Sequence, residues 1–261
     1  DALVHWEEVA DALGAGDPPA YDDLATWTGS VTRAPDGTWW LFYTGVDRAD
    51  AGNTQRVLAA TSPDLMVWER TDVLVEPDPR SYEVRSTSLW DHQAWRDPWV
   101  FHDGHEWRML VTARAAEGAA WDRGVVGHAT SPDLRTWTVQ PPASPPESGF
   151  GQLEVIQLVV VEDRPVLVFS CFTGELADAR RTAGEPGGVW AAPQESTRPP
   201  YDLSTARLLL DDSFYVGRLV QDRSGAWQLL AFVNRQPDGT FGGTLTDPMP
   251  VHWDPSGHLA L

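Results

Sequence analysis

The 261 residues read as an all-β protein, a five-bladed β-propeller whose first blade is largely missing from this chain. Three observations carry that reading. Tryptophan-centred segments recur at intervals of about 60 residues, each interval holds a turn followed by an apolar run, and the 3.6-residue period of helices is scarce.

The recurrence is direct. "SPDLMVWER" at 62–70 returns as "SPDLRTWTV" at 131–139, and "DALVHWEEV" at 1–9 is a worn copy, so Trp6, Trp68 and Trp137 stand 62 and 69 residues apart. Between these lie "DGTWWLFYTG" from Asp36, "DGHEWRMLVTAR" from Asp103, "EDRPVLVFSC" from Glu162 and "RSGAWQLLAFVN" from Arg223. A polar, Asp- or Gly-bearing turn leading into an apolar run is a hairpin signal. The anchors Trp39, Trp107, Pro165 and Trp227 are 68, 58 and 62 residues apart, a spacing that suits a four-stranded blade and is too long for the strand alternation of a β-sandwich. Four hairpins plus the tail of an earlier unit at Trp6 make five blades. "TGELADARRTAG" is the best helical candidate, and "GTLTDPMPVHWDPSGHLAL" offers further strands with no trailing β-sandwich. No Pro-rich stretch reads as a linker, so residues 1–261 form one propeller domain. The depleted first blade predicts exposed apolar residues beside Trp27 to Val31 and on the last blade.

Composition narrows the function. A formal charge of −19 argues against nucleic acid and anionic membranes and suits an uncharged substrate. All 19 basic residues are arginine, which excludes a Schiff-base lysine and a P-loop lysine. Cys171 is alone, so no disulfide forms within the chain, and its apolar run "VLVFSCF" marks an inert core thiol. No apolar run reaches the roughly 20 residues of a membrane span. The opening "DALVHWEE" does not report on secretion, and cytoplasmic and secreted locations both stay open. His102 and His105 fall on a hairpin turn rather than in a metal site, no metal motif stands up, and no cofactor is called for.

The innermost strand of a propeller blade precedes its hairpin, which singles out "ATWTGSV" (25–31), "AWRDPWVF" (94–101) and "FGQLEVIQL" (150–158). Arg96 and Asp97 interrupt an apolar run, and a charge there needs a partner or a ligand. Asp97 and Glu154 converging from adjacent blades are equipment for cleaving a glycosidic bond. The apolar neighbours of Glu154 favour its protonated form, as a general acid requires, while Arg96 favours ionised Asp97.

"HWEEV...YDDLATWTGSV", "GTWWLFYTG", "WRDPWVF" and "SFYVGRLVQDRSGAWQLLAFVN", in this order through nearly the whole chain, resemble glycoside hydrolase family 32, the invertases, levanases and inulinases. The resemblance implies hydrolysis of β-fructosyl linkages (sucrose, levan or inulin type) by a retaining double displacement. It makes Glu154 the acid/base and Asp97 the transition-state stabiliser, held in orientation by Arg96. It places Trp27, Thr28, Ser30 and Tyr215 against the substrate. The motif departs from the family at Val155-Ile156, where Cys-Pro usually follows the glutamate. The family's nucleophilic aspartate lies upstream of the segment resembling "DALVHWEE". Asp1 does not match it, Asp22 and Asp23 belong to a later loop, and no nucleophile is named. Two rivals remain: an arabinan- or xylan-cleaving enzyme of family 43 type, and a non-catalytic carbohydrate-binding propeller. Neither oligomeric state nor the choice among fructosides is legible.

Overall fold

A computed structural model describes residues 3–261. Four antiparallel sheets follow one another along the chain. The first blade described is β1 (Ala25–Arg33), β2 (Trp39–Val46), β3 (Gln55–Ser62) and β4 (Glu69–Val75). The second is β5 (Trp95–His102), β6 (Trp107–Arg114), β7 (Gly124–Ser131) and β8 (Thr138–Gln140). The third is β9 (Glu154–Val161), β10 (Arg164–Cys171), β11 (Gly188–Pro193) and β12 (Arg207–Asp211). In the fourth, β13 (Phe214–Gln221), β14 (Trp227–Arg235) and β15 (Phe241–Leu245) run in order, and β16 (Met249–Pro250) adds to β14. A last hairpin, β17 (His252–Trp253) with β18 (Leu259–Ala260), is tied to the third blade by Trp253 Nε1 donating to Val161 O at 3.0 Å.

The hairpins fall where the turns and apolar runs place them, with second strands opening at Trp39, Trp107, Arg164 and Trp227. In the first turn Asp36 Oδ1 accepts the Thr38 N–H at 2.9 Å, and Gly37 takes φ +91°, a conformation side chains resist. The two Ser-Pro-Asp-Leu segments build the same turn. Ser62 Oγ and Asp64 Oδ1 accept the N–H groups of Asp64 and Met66, Ser131 Oγ and Asp133 Oδ1 accept those of Asp133 and Arg135, and Trp68 and Trp137 each donate to the leucine carbonyl at 3.1 Å. Trp6, the third copy, has no such turn: it is 63% exposed, and residues 3–24 contain no strand. Asp1 and the start of that copy lie outside the described residues. The described propeller therefore has four blades, and the depleted fifth adds no strand to them. The helical candidate becomes a 3-10 turn, Thr173–Glu175, and one short helix, α1 (Asp178–Thr182).

Core residues pack between blades. Trp40, Phe42, Tyr82, Trp95 and Met109 fill the first gap, Phe150, Ile156, Phe169 and Trp190 the second, and Val166, Val189, Leu219 and Leu229 the third. Cys171 is buried in the second cluster, and burial pushes its thiol pKa well up, the inert thiol expected. The flanking blades carry the expected apolar exposure. Trp27, Val31, Phe241 and Leu245 are all exposed, and a cavity of about 450 Å³ opens against Tyr215, Val216, Leu230, Phe232 and Leu245.

One buried histidine and one partly buried one give the fold an acid-side weakness. Burial and Arg108 hold His128 down at about 4, its Nε2 accepting from Arg108 Nη1 at 3.0 Å. Burial, Arg96 and Arg114 do the same to His92, also at about 4. Both are neutral when folded, whereas unfolded histidine protonates near 6.5. The unfolded chain therefore binds more protons between pH 6.5 and 4, and stability falls as pH drops through that window. Each contributes on the order of 3 kcal/mol at most. We expect urea midpoints to fall from pH 7 to pH 4.5, and His128→Gln to flatten that slope. A midpoint unchanged across this range would contradict the assignment.

Candidate active site

The first strands of the blades, β1, β5, β9 and β13, neighbour one another around the centre. Each breaks register with its second strand at the same place: between Trp27 and Gly29, Arg96 and Trp99, Glu154 and Gln157, and Tyr215 and Arg218. A bulge re-aims side chains and ends regular pairing. Three of the four put a non-glycine residue in the left-handed region: Asp97 at φ 57°, Val155 at 52° and Val216 at 54°. That backbone costs about 1–3 kcal/mol per residue and persists where its surroundings enforce it. Here the enforcement is a hydroxyl on the preceding blade's second strand. The N–H of Asp97 donates to Thr44 Oγ1 at 2.8 Å, that of Val155 to Thr112 Oγ1 at 3.3 Å, and that of Val216 to Ser170 Oγ at 3.0 Å.

The bulges of β5 and β9 bring Asp97 and Glu154 to one guanidinium. Arg96 Nη2 meets Glu154 Oε1 at 2.6 Å, and Arg96 Nε lies 3.4 Å from Asp97 Oδ2. Arg96 also donates to Gln55 Oε1 at 3.1 Å and Gln152 Oε1 at 2.7 Å. All three charged groups are buried. One guanidinium touching both carboxylates keeps them on the same face, as the sequence requires. The division of labour differs from the expectation, because Arg96 is closer to Glu154 than to Asp97. Asp97 is oriented mainly by Thr112 Oγ1, donating at 2.9 Å, and by the Val155 N–H at 3.3 Å. These donors meet Oδ2 and leave Oδ1 clear of them. On Glu154, Oε2 is buried without a protein partner among the described residues.

A third carboxylate, missed by the sequence reading, joins the site. Glu175 Oε1 accepts from Gln152 Nε2 at 2.6 Å. Burial first, and then the charge of Glu154, push Glu175 up to about 7, with the Phe172 N–H and Arg96 opposing. Glu154 thus meets the Arg96 guanidinium and not an apolar shell alone.

The other predicted residues divide. Trp27 and Thr28 are exposed on the leading half of β1, with the Thr28 carbonyl accepting from Thr44 Oγ1 at 3.1 Å. Ser30 is buried, and its Oγ accepts the Val100 N–H at 3.1 Å, joining the first two blades. Tyr215 stacks on Phe172 with ring centroids 5.0 Å apart, and burial with the charges of Glu154 and Asp97 raises its phenol pKa, so it stays a hydroxyl donor. Asp22 is held between Tyr43 Oη at 2.9 Å and Arg70 Nε at 2.8 Å, and Asp23 accepts the Arg48 N–H at 2.7 Å. Those two carboxylates hold loops. Arg218, which the sequence reading passed over, donates to the Val155 and Ile156 carbonyls at 3.0 and 3.1 Å, bracing the β9 bulge from the fourth blade. The described residues contain no cluster of metal-ligating side chains.

Fold and site define a class, the β-propeller whose adjacent inner strands carry two carboxylates bridged by an arginine. Residues 1–238 match the glycosyl hydrolases family 32 N-terminal domain, and the chain belongs to that family. It is 35% identical over 142 residues to a cell wall isozyme of beta-fructofuranosidase from Zea mays, a match covering 52% of this chain and 22% of that enzyme. The match thus spans about a fifth of that relative's length. An inulosucrase from Halalkalicoccus jeotgali bound to kestose superposes with a TM-score of 0.71 at 22% identity, covering 90% of this chain and 69% of that one. A sucrose-6-phosphate hydrolase from Lactobacillus gasseri gives 0.75 at 20% identity, covering 98% and 52%. At these identities the structural likeness establishes the propeller.

Proposed function

We propose that this chain forms the catalytic propeller of a glycosidase acting on β-fructosyl linkages by a retaining double displacement. The observation that carries the reading is the arginine-bridged pair Asp97–Glu154 on the bulges of adjacent inner strands. Membership of family 32 and the beta-fructofuranosidase name of the maize relative support the fructosyl choice over an arabinan- or xylan-type substrate.

Glu154 Oε2, the oxygen with no protein partner, donates its proton to the glycosidic oxygen as the bond to the anomeric carbon breaks. Asp97, held through Oδ2, turns its charge toward the sugar and opposes the positive charge of the oxocarbenium-like transition state. An attacking carboxylate, assigned to no residue here, takes up the fructosyl carbon. In the second half Glu154, now ionised, removes a proton from the water that releases the sugar. Tyr215, Trp27 and Thr28 contact the sugar, and Ser30 ties β1 to β5 through the Val100 N–H.

The test is hydrolysis by the natural full-length protein of sucrose, levan and inulin, beside arabinan and xylan. Fructose release that drops sharply in Asp97→Asn is the expected result. Cleavage confined to arabinan or xylan, or sugar binding without any cleavage, would replace this reading with one of its rivals.

A further inference from the structure

Glu175 is fixed to the two residues that lead into β9 by both backbone and side chain. Its carbonyl accepts the Gly151 N–H at 2.7 Å, and its carboxylate accepts from Gln152 Nε2 at 2.6 Å. The other end of Gln152 accepts from Arg96 Nη2 at 2.7 Å, and the same nitrogen meets Glu154 Oε1 at 2.6 Å. A continuous path therefore runs from Glu175 through one amide and one guanidinium to Glu154. Its own N–H donates to Phe172 O at 2.9 Å, closing the 3-10 turn that holds it there.

We propose that Glu175 is a positioning residue for Glu154: through Gln152 and Arg96 it holds the proton-donating carboxyl in register. The inference rests on the reading of Glu154 as acid/base. The groups facing Glu175 are Glu154 from β9, Arg96 from β5, Arg114 from β6 and Cys171 from β10. Arg181 of α1 donates to the Gly174 carbonyl beside it at 3.0 Å. Two like charges in one partly buried site disfavour each other's ionised form, so their coupling reports how close Glu175 lies to Glu154. The elevation of Glu175 to about 7, to which the charge of Glu154 contributes, is one side of that coupling.

Two measurements test it. In the natural full-length enzyme, Glu175→Gln keeps an oxygen for Gln152 but removes the charge. Because the anchor is kept, kcat for sucrose should then stay within about threefold of the wild type. Glu175→Ala removes the anchor too, and kcat should fall about tenfold with KM changing less than twofold. Equal kcat values in Glu175→Gln and Glu175→Ala, or a loss in Glu175→Ala that falls on KM instead of kcat, overturn the proposal. The second readout needs no catalysis. In carbon-13 titrations of the 261-residue chain, a glutamate carboxyl absent from Glu175→Gln should titrate near pH 7, and Glu154→Gln should move it toward the ordinary range. A Glu175 carboxyl already in the ordinary range, or unmoved by Glu154→Gln, overturns the proposal. Absence of all fructoside cleavage by the wild type would defeat the function reading instead, leaving the titration to decide the coupling.

Discussion

Glu154→Gln in the natural full-length enzyme should lower kcat on sucrose by about 10²–10⁴-fold, the range a positioned general acid contributes. The substitution keeps size and leaves a carbonyl oxygen for Arg96 Nη2, which now meets Glu154 Oε1 at 2.6 Å. The amide nitrogen then takes the place of Oε2, the buried oxygen with no protein partner. An amide cannot give up a proton to a departing sugar near neutral pH, so the first bond-breaking step loses its acid. KM should change little, because Glu154 gives the ground state little that the amide does not. A fructoside with an acidic leaving group, which departs without help, should lose far less than sucrose. Thermal unfolding within a few degrees of wild type would separate this effect from damage to the fold. A loss below tenfold on sucrose would mean that another group supplies the proton.

The blade count, the hairpins and the pairing of Asp97 with Glu154 were legible because each rests on a short local pattern. Trp39, Trp107 and Trp227 follow turns and open strands, and such signals survive in a single sequence. The bulges were partly legible. Thr44, Thr112 and Ser170 stand five residues after the anchors Trp39, Trp107 and Pro165, and each catches the bulge N–H of the following blade. At the same offset the last blade has Phe232, part of the lining of its apolar cavity. That regularity was open to inspection, but its meaning depends on neighbouring blades and not on neighbouring residues.

What could not be read were the contacts that cross blades through long side chains. Arg96 stands beside Asp97 in sequence, so adjacency suggested their pairing, yet its guanidinium reaches across to Glu154 and Gln152. Glu175 lies in a segment that reads as a helical turn, and nothing near it in sequence indicates a partly buried acid at the site. Its environment is made by residues 151–154 and by β5, brought together by the stacking of blades. Ser30 shows the converse: a hydroxyl in a substrate-contact motif proved to join two blades through the Val100 N–H.

The largest expected loss of stability follows Arg96→Lys. Arg96 is 6% exposed and its guanidinium serves Gln55 from β3, Gln152 and Glu154 at the start of β9, and Asp97 beside it. Those partners come from all of the first three blades, so the residue ties those blades together at the two carboxylates. Lysine carries one compact ammonium and cannot present a planar fork of donors in three directions. If it reaches Glu154, Gln55 loses its donor; if it stays near Asp97, Glu154 is left buried and unpaired. Removing one partner of a buried ion pair costs about 3–5 kcal/mol, and the remaining amide oxygen adds to that. We therefore expect urea unfolding of Arg96→Lys to show a loss of about 3 kcal/mol or more, against less than 1 kcal/mol for Arg207→Lys, whose contact with Asp254 at 3.6 Å lies at the surface. Fructoside hydrolysis should fall with it, because the same guanidinium fixes the pose of the proposed acid. A variant that unfolds like the wild type and hydrolyses sucrose at the wild-type rate would show that the bridge serves neither fold nor reaction. A variant that is destabilised yet fully active when folded would leave Arg96 a structural tie alone, with Glu154 held by Gln152 and the β9 bulge.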